Sequence, residues 1–266
     1  MNEFLSFPFF QRAVAAGAVA AVLCGALSFF VVLRRLAFAG SGVAHAAFGG
    51  VAIATLLGLP PGLGALAAGL LVAGAASRAS GASGISEDAA IGVATVAAMA
   101  AGVVALGFVK TNVDLFGLMF GNILTVAPSD LALLGGAGAA VLGALAFWFR
   151  PLLLVSVDED GARAAGVNGA AMRLLALVLI SVTVVVALKV VGILLVSALL
   201  VLPGATARTL FDRWPGLLAG SIATALAMVL GGLALAVALD VAPGAAIILL
   251  GAALFAAALL LSRHRD

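Results

Sequence analysis

Apolar stretches of bilayer-spanning length follow one another almost without interruption from residue 11 to residue 262. A helix needs about 20 apolar residues to cross a hydrocarbon layer of about 30 Å. Nine segments read as spans, at roughly 11–33, 38–58, 62–78, 88–109, 130–153, 173–188, 190–204, 216–238 and 244–262, the sixth and seventh being the shortest. Charged residues make up 9% of the chain, against about 25% in a typical soluble domain, too few to cover a water-facing surface. The expected fold is all-α: one polytopic transmembrane helix bundle over 1–266, of nine spans, or eight if the sixth and seventh segments fuse. The 33 glycines suit such a bundle, because lipid supplies no hydrophobic force between helices and small residues let them approach closely.

Residues 173–204 taken as one helix would be roughly 45 Å long, more than one comfortable span. Lys189 and Gly192 mark the expected break. Orientation follows from the basic residues, which favour the cytoplasmic side. With the loop after the first helix inside, Arg34, Arg35, Arg78, Arg150, Arg163, Arg173, Arg208, Arg213, Arg263 and Arg265 are inside, and only Arg12, Lys110 and Lys189 are outside. That count puts the N-terminus outside and the C-terminus in the cytoplasm. Fusing the sixth and seventh segments would spoil it. The N-terminus has no basic n-region and no evident cleavage site, so no cleaved signal peptide is expected. The segment 111–129 is apolar on one face and too polar to span, which suggests a short helix lying at the outer surface.

The longest polar island is 156–173. Asp158 can accept backbone N–H groups as an N-cap, and Glu159 and Asp160 sit well against the positive helix end. Gly166 is placed to stop the helix. A capped helix of about two turns on the cytoplasmic side reads either as a connector or as a docking element for a soluble partner, and its structure favours docking.

His45 is the clearest ionisable residue deep in a span, lying roughly 15 Å along a helix from Arg35. Imidazole suits zinc, manganese and iron. Its surroundings are small and glycine-rich. Gly40 and Gly42 could loosen the helix there, and Ser41 shares a helical face with His45. The residue is either a ligand on a transport route or a packing histidine bonded to a neighbouring helix. No second histidine or cysteine lies near in sequence, so a closed structural zinc site is not supported.

Other features carry less chemistry. Gly81-Ala82-Ser83-Gly84 matches a serine-nucleophile pattern but has no base in reach and reads as loop. Ser41 with His45 lacks an orienting acid. No Gly-rich stretch follows a strand, so nucleotide-binding loops are excluded, and no basic run points to nucleic acid. Cys24 is a lone packing residue. Asp130 can cap the fifth helix, and Lys189 could line the outer mouth of a pathway.

Four stretches carry a family resemblance: Gly-Val-Ala-His-Ala-Ala-Phe-Gly-Gly-Val-Ala (42–52), Leu-Met-Phe-Gly-Asn-Ile-Leu-Thr-Val (118–126), Val-Asp-Glu-Asp-Gly-Ala-Arg-Ala-Ala-Gly-Val (157–167), and Val-Val-Gly-Ile-Leu-Leu-Val-Ser-Ala-Leu-Leu-Val-Leu-Pro-Gly-Ala-Thr-Ala-Arg (190–208). With these the chain resembles the membrane permease subunit of bacterial ABC importers for zinc, manganese or iron. The resemblance implies a fold like that of the cobalamin importer permease, a type II ABC importer, in the bacterial cytoplasmic membrane. It implies a permease homodimer in the lipid bilayer, bound to two cytoplasmic ATP-binding cassette ATPase subunits and fed by an extracytoplasmic metal-binding protein. The chain itself would hold no ATP site and no resident cofactor, and zinc or manganese would be the transported ion. The resemblance places His45 on the metal route and a coupling helix at about 158–166, with Asp158, Glu159, Asp160, Ala162, Arg163 and Gly166 meeting the ATPase. Many relatives carry an aspartate four residues before this histidine. Ser41 stands there instead, and a neutral hydroxyl is a poor substitute for a carboxylate on a hard divalent cation. A permease for a metal chelate or other small solute is therefore the alternative within transport. Outside that class stand a secondary carrier using His45 as a proton relay and a membrane scaffold without transport.

Overall fold

The computed structural model describes residues 7–108, 121 and 126–262. Among them the regular structure is helical: α1 (Pro8–Leu33), α2 (Ala37–Leu56), α3 (Pro61–Ser83), α4 (Glu87–Leu106), α5 (Pro128–Phe147), α6 (Phe149–Val157), α7 (Glu159–Ala164), α8 (Gly169–Val191), α9 (Ile193–Leu210), α10 (Trp214–Leu239) and α11 (Pro243–Ser262). Nine of these are long and apolar enough to cross a membrane: all but α6 and α7. Proline opens α1, α3, α5 and α11, where its missing N–H would have had no intrahelical partner anyway. Large apolar side chains such as Leu71, Val93 and Leu249 remain exposed on these helices, as lipid-facing helices require.

The break between α8 and α9 falls where expected. One residue, Gly192, separates them, with φ 82° and ψ 163°, a conformation that is essentially glycine-only. The hydrogen-bond ladder hardly pauses: Gly192 N–H donates to Leu188 and Val196 N–H to Gly192. Four expectations need correction. The fifth segment does not run unbroken to 153. It ends at Phe147, and α6 begins after Trp148. Pro151, in the first turn of α6, has no N–H to donate to the Phe147 carbonyl, so the longer helix cannot continue through it. Residues 81–83 are the last turn of α3 rather than loop, and Gly84, at φ 69°, provides the left-handed stop. Gly40 and Gly42 do not loosen α2, which is continuous. Asp130 is not the residue preceding α5 but lies within its first turn. The surface helix expected over 111–129 falls largely outside the described residues, as does the C-terminal Arg-His-Arg-Asp.

The chain divides into two compact units. One comprises the described residues within Leu33–Leu115 and Gly143–Val185, the other those within Met1–Val32, Phe116–Leu142 and Val186–Asp266. In the first, α2 packs against both α3 and α4. Two of the contacts are backbone to backbone and a third meets side chains. A Cβ added to Gly50 would meet the Gly64 carbonyl, and one on Gly49 the Ala98 carbonyl. A Cβ on Gly42 would lie 2.7 Å from Ile91 Cγ2 and 2.8 Å from Thr95 Oγ1.

In the second unit, α9, α10 and α11 pack together, and buried hydroxyls, Ser28 of α1 and Ser221 of α10, bond α1 to α9 and α10. Ser28 Oγ accepts from Gly204 N–H at 2.8 Å, beside Pro203 inside α9. Ser221 Oγ donates to the Gly25 carbonyl at 2.6 Å. A polar side chain beside a proline-broken ladder satisfies backbone that lipid could not.

Candidate functional site

His45 lies in the middle of α2, half-buried between the small residues Ala44 and Ala46. Its Nδ1 is 2.7 Å from the carbonyl oxygen of Ser41, one turn back. A carbonyl only accepts, so Nδ1 carries a proton, and in the neutral ring Nε2 keeps its lone pair. That is the form in which a histidine can ligate a metal or accept a proton. The hydroxyl of Ser41 turns the other way and donates to the Phe38 carbonyl at 3.2 Å. Ser41 therefore contributes its backbone, not its side chain, to His45. Among the described residues no group of three or more His, Cys, Asp or Glu side chains gathers.

The polar island folds as a short helix, α7. Asp158 is its N-cap, with Oδ1 accepting from Gly161 N–H at 3.0 Å. Gly161 must be small, since a Cβ there would press on the Asp158 carboxylate. The helix ends at Ala164, and Gly166 follows at φ 81°. Arg163 lies 3.5 Å from Asp160, both exposed, and 3.7 Å from the half-buried Glu159. Ala162 is fully buried. Asn168 caps the next helix, with Oδ1 accepting from Ala171 N–H at 3.0 Å.

The structure adds partners that sequence spacing does not reveal. Glu159 of α7 is bonded to Arg173 in the first turns of α8. Arg34, in the link between α1 and α2, donates to Glu87 at 2.8 Å. The side chains of that pair are largely buried, 7% and 13% exposed. Burial pulls the Arg34 guanidinium below its ordinary value, and the adjacent Glu87 carboxylate opposes the shift. The two pairs are near enough that the charges of Glu159 and Arg173 both act on Arg34. Next to Glu87, Asp88 accepts from the Phe38 N–H at 2.9 Å, at the start of α2. Arg34 and Glu87 are 53 residues apart, a separation no periodicity links. The only trace in the sequence is that one follows the end of the first span and the other opens the fourth.

In the other unit, Lys189 Nζ lies 2.6 Å from Asp130 Oδ1. The lysine is 69% exposed and its partner 14%. Asp130 also accepts from Ala127 N–H at 3.4 Å, so the carboxylate ties the start of α5 to the end of α8.

Comparison with known proteins fits this architecture. The profile of the ABC 3 transport family matches residues 6–262. The chain belongs to the ABC 3 transport family. This places it among the metal ABC transporter permeases, as the resemblance in its sequence implied. It is 37% identical to the manganese transport system membrane protein MntC of Halalkalibacterium halodurans, over 98% of this chain and 90% of that one. It is 35% identical to the manganese import system permease protein ScaB of Streptococcus parasanguinis, over 94% and 89%. A probable iron transport system membrane protein of Haemophilus influenzae is 33% identical over 99% and 97%. Among solved structures of the same fold, PsaBC from Streptococcus pneumoniae in complex with Fab overlays with a TM-score of 0.84 at 33% identity, covering 97% of this chain and 94% of that one. An inward-facing metal-chelate type ABC transporter shares the fold at a TM-score of 0.74 and 18% identity, over 96% and 89%.

Proposed function

We propose that this chain is the membrane permease of an ATP-driven ABC importer for a divalent transition metal, with manganese first and iron second. The overlay on PsaBC along 97% of the chain carries the reading, and the names of the 37% and 35% identical relatives point to manganese. Zinc has the support of the sequence resemblance alone. A secondary carrier is disfavoured by family membership.

On this reading two copies of the chain pair in the bacterial inner membrane, with the N-terminus outside and the C-terminus in the cytoplasm. An extracytoplasmic binding protein delivers the metal. Cytoplasmic ATPase subunits dock on α7 through Asp158, Glu159, Asp160, Ala162, Arg163 and Gly166, and their closure drives alternating access by rigid helix movement. His45 Nε2 meets the metal in passing. A single imidazole with carbonyl neighbours gives a weak site, which a route needs if the ion is to leave again. Lys189 with Asp130 lines the outer mouth.

The second reading, a permease for a metal chelate, rests on Ser41. Its neutral hydroxyl is held by Phe38, which leaves His45 without a nearby carboxylate on its own helix. The test is uptake of manganese(II), iron(II) and zinc(II) by cells lacking their own importers, expressing this chain with its partners. Accumulation of manganese, lost in His45→Ala with the complex still assembled, is expected. Assembly without uptake of any bare ion would favour the chelate.

A further inference from the structure

Four charged side chains from four different segments lie near one another at one end of the first unit: Arg34 before α2 is bonded to Glu87 at the start of α4, Glu159 of α7 is bonded to Arg173 of α8, and the charges of the second pair act on both members of the first. They do not form two closed pairs. Arg34 Nη1, Glu87 Oε1 and Arg173 Nε are all buried and lack a hydrogen-bond partner among the described residues. Burying polar atoms of charged groups unpaired is costly, so each such atom calls for an explanation. Here the unused acceptor is on Glu87, and unused donors are on both Arg34, already bonded to Glu87, and Arg173, whose charge acts on Glu87. Glu87 thus holds Arg34 with one carboxylate oxygen and leaves the other without a bond, with two arginines to compete for it.

The two carboxylates of this group each lead to a functional element. Glu159 belongs to α7, and a Cβ on Gly169 would lie 3.1 Å from its Oε1, so the carboxylate is closely seated against the start of α8. Glu87 is followed by Asp88, which holds the first turn of α2 through Phe38 N–H. His45 lies two turns further along α2.

We propose that Glu87 is a partner-exchanging residue in a charge relay, bound to Arg34 in one transport state and to Arg173 in the other, which carries movement of α7 to the helix that bears His45. Movement of α7 shifts Arg173 through Glu159. Arg173 then competes with Arg34 for Glu87, and the start of α4 moves α2 through Asp88. The inference rests on the permease reading above. Glu87 and Arg34 act as positioning residues and do not touch the metal.

The test uses the tagged chain, expressed in its source cells without the native copy, and purified with the partners that accompany it. The complex is placed in liposomes, and manganese(II) uptake is read against ATP hydrolysis. The variants are Glu87→Gln and the double variant Arg34→Met/Glu87→Leu. Removing one member leaves the other charge buried and unpaired, whereas replacing both with apolar residues of similar size is often neutral for folding. We expect either assembled variant to keep hydrolysing ATP while manganese moved per ATP falls about tenfold, within the range typical of coupling between sites. If Glu87→Gln does not assemble, the double variant decides. A double variant that transports with the wild-type ratio would make the cluster a static brace and overturn the proposal. So would a double variant that does not assemble, or uptake and hydrolysis falling in equal proportion. A wild-type complex that moves no manganese would instead sink the manganese-permease reading, and this inference with it.

Discussion

The Nδ1 of His45 and the carbonyl oxygen of Ser41 are hydrogen-bonded at 2.7 Å along one helix. This contact fixes the imidazole tautomer without help from any other side chain, and it separates the two halves of residue 41. Its backbone orients the histidine, while its hydroxyl serves the Phe38 carbonyl. Ser41→Ala should therefore leave metal uptake within about twofold of wild type and stability within about 0.5 kcal/mol, as expected for a change that removes no buried partner. His45→Ala should abolish uptake with assembly intact. Parallel uptake and size-exclusion measurements check both, and a severe loss in Ser41→Ala would give the hydroxyl a role in the route.

Gly50 and Gly64 meet backbone to backbone. A methyl group on either would enter the other's carbonyl. Gly50→Ala and Gly64→Ala should each cost about 2 kcal/mol or more, because neither side of the contact is a movable side chain. Gly62→Ala, two residues from Gly64 on α3, meets nothing within 4 Å. It should be neutral or stabilising by about 0.5 kcal/mol through the lost freedom of the unfolded chain. Thermal unfolding of the three variants in detergent gives the comparison.

At Gly192 the constraint is conformational. Its φ of 82° with ψ of 163° leaves no room for a Cβ in the usual allowed regions. Gly192→Ala should destabilise by about 1–3 kcal/mol. Shifted melting of the variant, with retained helix content by circular dichroism, would place the loss at the α8–α9 break.

Asp158 offers a way to separate helix order from charge. Asp158→Ala removes the cap on Gly161 N–H and should cost about 1 kcal/mol of helix stability. If docking requires an ordered α7, that corresponds to roughly fivefold weaker binding of the ATPase. Asp158→Asn keeps the cap and should bind nearly as wild type. Equal loss in both variants would assign the effect to the carboxylate charge.

Much of the fold could be read from the sequence because the bilayer imposes a length and a composition on each span. The nine spans, the break at Gly192 and the capped α7 all follow from local rules: apolar length, glycine conformation, and an aspartate before an acidic turn. The misses are also physical. Pro151 acts four residues back, on the Phe147 carbonyl, so the fifth span ends earlier than its apolar run. Gly40 and Gly42 suggest looseness in a sequence, yet Gly42 admits Ile91 and Thr95 of α4 against an unbroken helix. His45 and the polar island stand out because charge is scarce around them. The Arg34–Glu87 and Lys189–Asp130 pairs did not, since each joins residues that only the tertiary fold brings together.

The glycine contacts of α2 bear on what can move beside His45. Side chains absorb a small displacement by changing rotamer, whereas touching backbones have no such slack. With Gly49 against Ala98 and Gly50 against Gly64, α2 is clamped on two sides. A push at Phe38 must then reach the imidazole almost undiminished, with α2, α3 and α4 travelling as one stiff lever. Any opening next to His45 has to come from an element outside that trio.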